Sequence, residues 1–402
     1  MPTSCMRGVG CLVFAAMLAV GGARGAAEEE LDPAIALRDS LLNSRVAFEQ
    51  GPTGHVAFLG GSITEMNGYR PLVAAWLEEK FRDTKFTFTN AGIASTCSTT
   101  GAFRLERDVL SAGPVDLLLV EFAVNDDQDA AHAAREALRG MEGVIRRLKT
   151  ANPKADVVMI HFTNPEMLAA AQEGKTPVSV AAHEQVAEHY NIPSVNIPEA
   201  LAARIAAKTL TWERYGGTHP GREGNRFAAD LVDELLAAAW KAPLPEQLPV
   251  PAALPAPLDT HSYDRGWLAE PDAAQFGDDW NSGVTDWKNL AGSLRERFAG
   301  KKLLTAAAPG AELTFSFTGR GVGAYVLAGP DAGGLEASID GGPFHRVELY
   351  HRFSRGLHYP RTVMFAADLP AAEHTLTLRI SRENHAESSG VAARILAFAV
   401  NE

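Results

Sequence analysis

Ser62 closes an apolar run, His55-Val56-Ala57-Phe58-Leu59, and follows directly on Gly60-Gly61. A serine at the carboxyl end of a parallel strand sits where open α/β sheets bind ligands. Glycines before it let substrate and backbone approach closely, having no Cβ to clash. Three further segments place polar residues in similar settings. Asn90-Ala91-Gly92-Ile93-Ala94-Ser95 follows a second strand pattern, and Glu121-Phe122-Ala123-Val124-Asn125-Asp126 ends a third. Trp212 to Pro220, with His219 near its end, precedes the last helical pattern of this half. Brought to one sheet edge, Ser62 supplies a nucleophile and His219 a base. Asn125 and backbone N–H groups supply donors for an oxyanion. That is the inventory of acyl transfer. On the Ser62 segment alone, a turn serine between strand and helix explains the pattern as well.

The elements that must position these residues are legible as periodicity. Strand patterns fall at His55–Leu59, Phe86–Thr89, Val115–Phe122, Asp156–Phe162 and Pro193–Ile197. Helical patterns lie at Tyr69–Phe81, Ala130–Lys149, Ser179–Tyr190 and Arg222–Trp240. The near-continuous apolar run Val115 to Val120 reads as a central strand covered on both faces. Alternating β and α over residues 30–240 predicts right-handed crossovers and a doubly wound parallel sheet. Six prolines between Ala242 and Leu258 then interrupt helix and sheet alike. That segment is a semi-rigid linker or a strap over a domain surface. Beyond it, Leu313, Phe315 and Phe317 alternate with polar residues, as do Leu376, Leu378 and Ile380. Asp340-Gly341-Gly342 reads as a hairpin turn. These signals predict a C-terminal β-sandwich.

The 402-residue chain divides by this reading into a signal peptide (1–26), an α/β domain (27–241), a Pro-rich linker (242–258) and a β-sandwich domain (259–402). Arg7, the short apolar run Val9–Val20 and the small residues up to Ala27 are the marks of an export signal cut near Gly25 or Ala26. The protein is therefore expected in a periplasmic or extracellular space, with no membrane span in the mature chain. Cys5 and Cys11 leave with the signal, so Cys97 alone remains; it can build neither an internal disulfide nor a zinc ligand set. A net charge of −12 with interspersed signs argues against nucleic acid as a partner.

The four blocks, Gly60-Gly61-Ser62-Ile63-Thr64, Asn90 to Ser95, Val124-Asn125-Asp126 and Thr218-His219-Pro220, resemble in order those of the SGNH hydrolases, the GDSL esterase/lipase superfamily, over residues 50–240. The resemblance implies a flavodoxin-like fold with Ser62 as nucleophile and His219 as base. It also implies an oxyanion hole from the Ser62 N–H, the N–H of Ser95 and the Asn125 amide. Two departures stand out. Ser95 occupies a position that is usually glycine, and Gly216 stands where the family carries an aspartate three residues before the histidine. Either Glu213 replaces that acid, or a backbone carbonyl receives the Nδ1–H of His219 and leaves a Ser–His dyad. Similar carbohydrate esterases with an appended β-sandwich use the latter. The expected function is removal of O-acyl groups, O-acetyl foremost, from a small-molecule or polysaccharide ester, with no metal or organic cofactor. The alternative is a catalytically impaired carbohydrate-binding protein of the same fold.

Other residues have plainer readings. His183 and His189 are six apart on one helix and face different sides. Gly319 to Gly323 is a tight strand connection. His161 ends a strand near the crevice, Asp126 and Asp127 cap the following helix, and Arg104 and Arg107 form surface ion pairs. Trp267, Trp280 and Trp287 are packing residues rather than a sugar platform.

Overall fold

A computed structural model describes residues 1, 30–247, 250 and 253–402. The expected signal peptide lies outside the described residues, Met1 apart. Residues 31–402 form one compact unit.

The α/β part contains strands β1 (Ile35–Ala36), β2 (Thr53–Gly60), β3 (Lys85–Gly92), β4 (Leu117–Glu121), β5 (Asp156–His161) and β6 (Ser194–Asn196). Its helices are α1 (Leu42–Gln50), α2 (Ser62–Glu65), α3 (Tyr69–Lys80), α4 (Ser98–Asp108), α5 (Ala134–Ala151), α6 (Pro165–Gln172), α7 (Val178–His189), α8 (Ile197–Ala206), α9 (Trp212–Tyr215) and α10 (Arg222–Ala239). The sheet order is β1-β6-β5-β4-β2-β3. All neighbours are parallel except β1, which runs antiparallel to β6 through Ile35 opposite Val195. Leaving β1 aside, this is the flavodoxin-like order, and the strand sequence reverses direction between β2 and β4. Side chains alternate across the sheet with period two. Val56, Phe58, Leu117, Leu119, Val158 and Ile160 enter the core on one face. Ala57, Leu59, Leu118, Val120, Val157 and Met159 enter the core on the other. Burial on both faces is what makes these strands read as unbroken apolar runs. Every strand expected from the sequence is present; the two-residue β1 is too short to leave a periodic signal.

The C-terminal part contains β7 (Gly266–Ala269), β8 (Gln275–Phe276), β9 (Asn281–Val284), β10 (Lys302–Ala306), β11 (Glu312–Gly319), β12 (Gly321–Ala328), β13 (Gly334–Ile339), β14 (His345–Glu348), β15 (Tyr359–Ala366), β16 (Ala372–Ile380) and β17 (Ala393–Asn401). They form two antiparallel sheets, β15-β12-β17-β10-β9 with β7 also on β17, and β14-β13-β16-β11-β8. Leu313 faces Leu378 and Phe315 faces Leu376 across β11 and β16. From the other sheet Phe398 stacks on Phe315 with ring centroids 4.3 Å apart, so one core lies between the two layers. Asp340 and Gly341 both take positive φ, as a type I′ hairpin between β13 and β14 requires.

Strand β12 is buried along its whole length. Val322, Ala324 and Val326 face the second sheet, whereas Tyr325 and Leu327 join Phe298, Leu303, Ala397 and Ile93 of the α/β part. Tyr263 and Ala399 likewise enter the core beneath α4 and α5. The proline-rich segment is pinned as a strap: Arg146 donates to the Pro255 carbonyl at 2.8 Å, and Glu142 accepts from the N–H groups of Leu258 and Asp259 at 2.6 and 3.0 Å. Among the described residues, no helix is long and apolar enough to cross a membrane.

Candidate active site

Strand β2 ends at Gly60, and Ser62 is the first residue of α2, beside the point where strand order reverses. The first N–H of a helix has no intrahelical acceptor, so the Ser62 N–H is open to a ligand. Gly61 has no substitute here: a Cβ on it would stand 2.0 Å from Asn125 Oδ1. The glycine is what allows the Asn125 amide to lie against the serine turn.

His219 Nε2 lies 2.7 Å from Ser62 Oγ. The ring arrives on a loop built by glycine geometry. Gly216 has φ +103°, and a Cβ on it would sit 2.1 Å from the Gly221 N atom. Gly221 N–H donates to the Tyr215 carbonyl at 2.8 Å. Asn225 Nδ2 donates to the carbonyls of Pro220 and Gly221, at 2.5 and 3.0 Å. His219 is thus flanked by a backbone turn fixed at both ends.

Glu213 does not reach it. The pKa of this exposed carboxyl is held below the usual range by its own backbone N–H and by Thr211, at the start of α9. It lies within α9, whose N-cap is Thr211, and the expectation that it orients the imidazole finds no contact in the structure. No backbone carbonyl among the described residues bonds Nδ1 either. Among the described residues, the one hydrogen bond of the His219 ring is that to Ser62.

Asn125 opens a π-helical turn, Asn125–Asp129, closed by Ala130 N–H donating to the Asn125 carbonyl at 2.8 Å. Such turns occur often at functional sites. Nδ2 spends one hydrogen on Asp129 Oδ2 at 2.5 Å, which leaves the other free. Asp126 caps a helix, but not the following one. Its oxygens accept from the N–H and hydroxyl of Ser98 at the start of α4, at 2.8 and 2.6 Å, and from His183 Nε2 at 2.9 Å.

Ser95 has φ +70°. For a residue with a Cβ, that conformation costs on the order of 1–2 kcal/mol. Its N–H donates to no acceptor among the described residues, whereas its hydroxyl, its carbonyl and the preceding N–H are engaged. Ala94 N–H donates to Glu65 Oε2 at 3.0 Å, and the Ser95 hydroxyl and carbonyl accept from Arg295 Nη2 at 2.8 Å and Tyr359 Oη at 3.4 Å. The Ser62–His219 pair, Asn125 against Gly61 and the Ser95 turn tied to Glu65 of α2 thus stand at one edge of the sheet, with the N–H groups of Ser62 and Ser95 and one Asn125 amide hydrogen uncommitted among the described residues.

Beneath the serine lies a residue that the block pattern alone does not single out. Glu121, fully buried, accepts from Gly61 N–H at 2.9 Å and from Thr64 Oγ1 at 2.8 Å. Burial raises its pKa to about 7. Arg104, expected on the surface, is fully buried instead. It donates to the carbonyls of Gly60 and Ala91 at 3.0 and 2.7 Å and so ties the ends of β2 and β3 together. His161 is buried against Glu184, Nε2 to Oε1 2.6 Å, and makes no bond to the crevice residues. Trp280 packs in the sandwich core, as expected.

Cys97, Asp126 and His132 have potential ligand atoms within 4.8 Å of one another. Both Asp126 oxygens already accept hydrogen bonds, and the half-buried Arg361 cation interacts with Cys97. These groups are accounted for as a charge-paired network. A cavity of about 490 Å³ adjoins them and is walled also by Ser95, Asp129 and Tyr359.

A serine hydrogen-bonded to a histidine at the switch point of a doubly wound sheet, with free donors around it, defines a carboxylic ester hydrolase of the SGNH type. Residues 58–227 match the GDSL-like Lipase/Acylhydrolase family. Among solved structures, the chain is similar to a two-domain esterase (CEX) active on acetylated mannans, at 22% identity and TM-score 0.72, covering 92% of this chain and 97% of that one. A structure of such an esterase co-crystallized with mannopentaose gives 21% identity and TM-score 0.69, covering 90% and 94%. The likeness spans both parts of the molecule and shows a shared fold. Comparison with curated proteins gives no match.

Proposed function

We propose that this protein removes O-acyl groups, acetyl foremost, from carbohydrate by a Ser–His mechanism. The observation that carries the reading is the 2.7 Å contact of His219 Nε2 with Ser62 Oγ. His219 takes the Ser62 proton as Oγ attacks the ester carbonyl carbon. The resulting oxyanion meets the N–H groups of Ser62 and Ser95 and the free Asn125 amide hydrogen. Collapse expels the sugar oxygen, which takes the proton from the imidazolium, and water then repeats the cycle on the acyl-serine. The carbohydrate substrate is supported by the two-domain likeness to an esterase active on acetylated mannans. Export is part of the proposal and rests on residues 1–26, with the α/β domain (27–241) and the sandwich (259–402) as the mature protein.

The competing reading, an inactive carbohydrate binder, draws on the lack of any acid at His219 Nδ1. Against it stand the intact Ser–His contact and the three free donors. Purified protein should hydrolyse p-nitrophenyl acetate and release acetate from acetylated mannan, and Ser62→Ala should abolish both. Mannan binding without any Ser62-dependent turnover would decide for the inactive reading. Export is checked by mass spectrometry of the mature N-terminus, expected near residue 26.

A further inference from the structure

Ser95 is held in its left-handed conformation by residues some two hundred positions away. Arg295 Nη2 donates to its hydroxyl at 2.8 Å, and Tyr359 Oη donates to its carbonyl at 3.4 Å. Arg297 Nη1 donates to the Gly92 carbonyl at 3.1 Å and pairs with Glu65 Oε1 at 3.0 Å. Glu65 in turn accepts the Ala94 N–H. All three donor side chains come from the sandwich part. Together with Glu65 they engage the Gly92 carbonyl, the Ala94 N–H and the Ser95 hydroxyl and carbonyl, whereas the Ser95 N–H has no acceptor among the described residues. Ile93, two residues earlier, is packed among Phe298, Tyr325 and Leu327 of the same part.

We infer that the sandwich part completes the esterase site, with Arg295 as a positioning residue that holds Ser95 at positive φ and so keeps its N–H aimed at the oxyanion. The inference rests on the ester-hydrolase reading above. Three physical points carry it. A serine at φ +70° is not at rest there and needs outside contacts to stay. A guanidinium bonded to the hydroxyl is a strong, charge-assisted contact. It also places a cation one hydrogen bond away from the residue that meets the developing negative charge. The opposite Arg295 nitrogen, Nη1, is buried with no partner, and burial lowers the pKa of the side chain. A half-buried cation with one buried nitrogen unpaired is costly to keep. Stability alone gives no reason for Arg295 at this place; holding the turn does.

The test is a double-mutant cycle read as kcat and KM on p-nitrophenyl acetate, with Ser62→Ala as blank. Arg295→Met in the Ser95 background is expected to lower kcat about 10- to 100-fold with KM within twofold. Arg295→Lys, which still donates to the hydroxyl, is expected to recover part of that loss. Ser95→Gly removes both the hydroxyl and the strain while keeping the N–H. In that background Arg295→Met is expected to change kcat less than threefold. Equal losses in both backgrounds, or a loss confined to KM, would overturn the positioning role and make Arg295 a substrate contact. Hydrogen exchange gives a readout independent of turnover: amides of residues 93–96 should exchange faster in Arg295→Met while those of β4 do not change. Unchanged exchange with unchanged kcat also overturns it. Failure of the hydrolase reading looks different: wild type no more active than Ser62→Ala, with exchange at 93–96 still responding to Arg295→Met.

Discussion

Glu213→Gln is expected to leave kcat within about threefold on p-nitrophenyl acetate. Loss of a true triad acid costs on the order of 10⁴, but this carboxylate is exposed and bonded within its own short helix. A drop beyond a hundredfold would mean that the loop rearranges around substrate. Glu121 gives the opposite case, a carboxyl that sequence position does not distinguish but burial makes consequential. Its folded pKa is raised to about 7 by desolvation, against 4.5 for the ordinary group. Between those values the folded chain holds a proton that the unfolded chain has lost. Stability from this group is therefore full below pH 4.5, falls as pH rises to about 7, and is level above that. The size is on the order of 3 kcal/mol at 1.36 kcal/mol per unit. Asp233, also raised to about 7, titrates in the same window. Glu121→Gln should remove only its own share, seen as a shallower decline in urea-denaturation stability from pH 4.5 to 7. An unaltered decline would show Glu121 to be ionised throughout.

At the scale of elements, the loop from Tyr215 to Gly221 carries His219 and is fixed by backbone hydrogen bonds and glycine geometry. Gly216 and Gly217 separate two kinds of constraint. A Cβ at Gly217, φ +90°, meets nothing within 4 Å, whereas one at Gly216 meets the Gly221 nitrogen. Gly217→Ala should therefore cost roughly 1–2 kcal/mol of stability and little turnover. Gly216→Ala should displace the loop and lower kcat about 10²-fold, as misplacement by about 1 Å does. Fluorophosphonate labelling of Ser62 should slow in parallel for Gly216→Ala only; equal effects of the two would refute the steric argument. The strands and the four blocks were legible because a doubly wound sheet writes itself as apolar runs ending on polar residues. What orients His219 was not. Asn225 sits in the amphipathic pattern of α10 as one more polar residue, and only the fold shows it reaching the Pro220 carbonyl. Arg104 misled for a related reason: an arginine reads as surface unless the two carbonyls that take its charge are visible. The sequence does not single out strand β12, and what covers its second face is a domain far off in sequence.

Over the whole molecule, the question is whether the two parts behave as one. Interfaces between domains are often small and polar, and relative motion is then the default. Here the boundary is apolar at two places. Ile93 inserts among Phe298, Leu303, Tyr325 and Leu327, and Tyr263 packs on Phe103 with ring centroids 5.0 Å apart. Around these, Arg139 is paired with both Asp259 and Asp368, so the strap and the sandwich share one cation on α5. Separating the parts would expose these apolar side chains and leave the buried Arg139 without its partners. Each is a penalty of several kcal/mol. Calorimetry of the mature chain should therefore show a single cooperative transition, with calorimetric and van't Hoff enthalpies equal. Ile93→Ala removes packing at the joint itself and should cost about 2–5 kcal/mol. It should also broaden the transition or split it in two. Because residue 93 leads into the Ser95 turn, the same variant should lose turnover, whereas Leu378→Ala deep in the sandwich should lower the melting temperature with kcat near wild type at 25 °C. Two resolved transitions in the wild type would mean that the sandwich moves independently, and a clamp on Ser95 could not then be maintained.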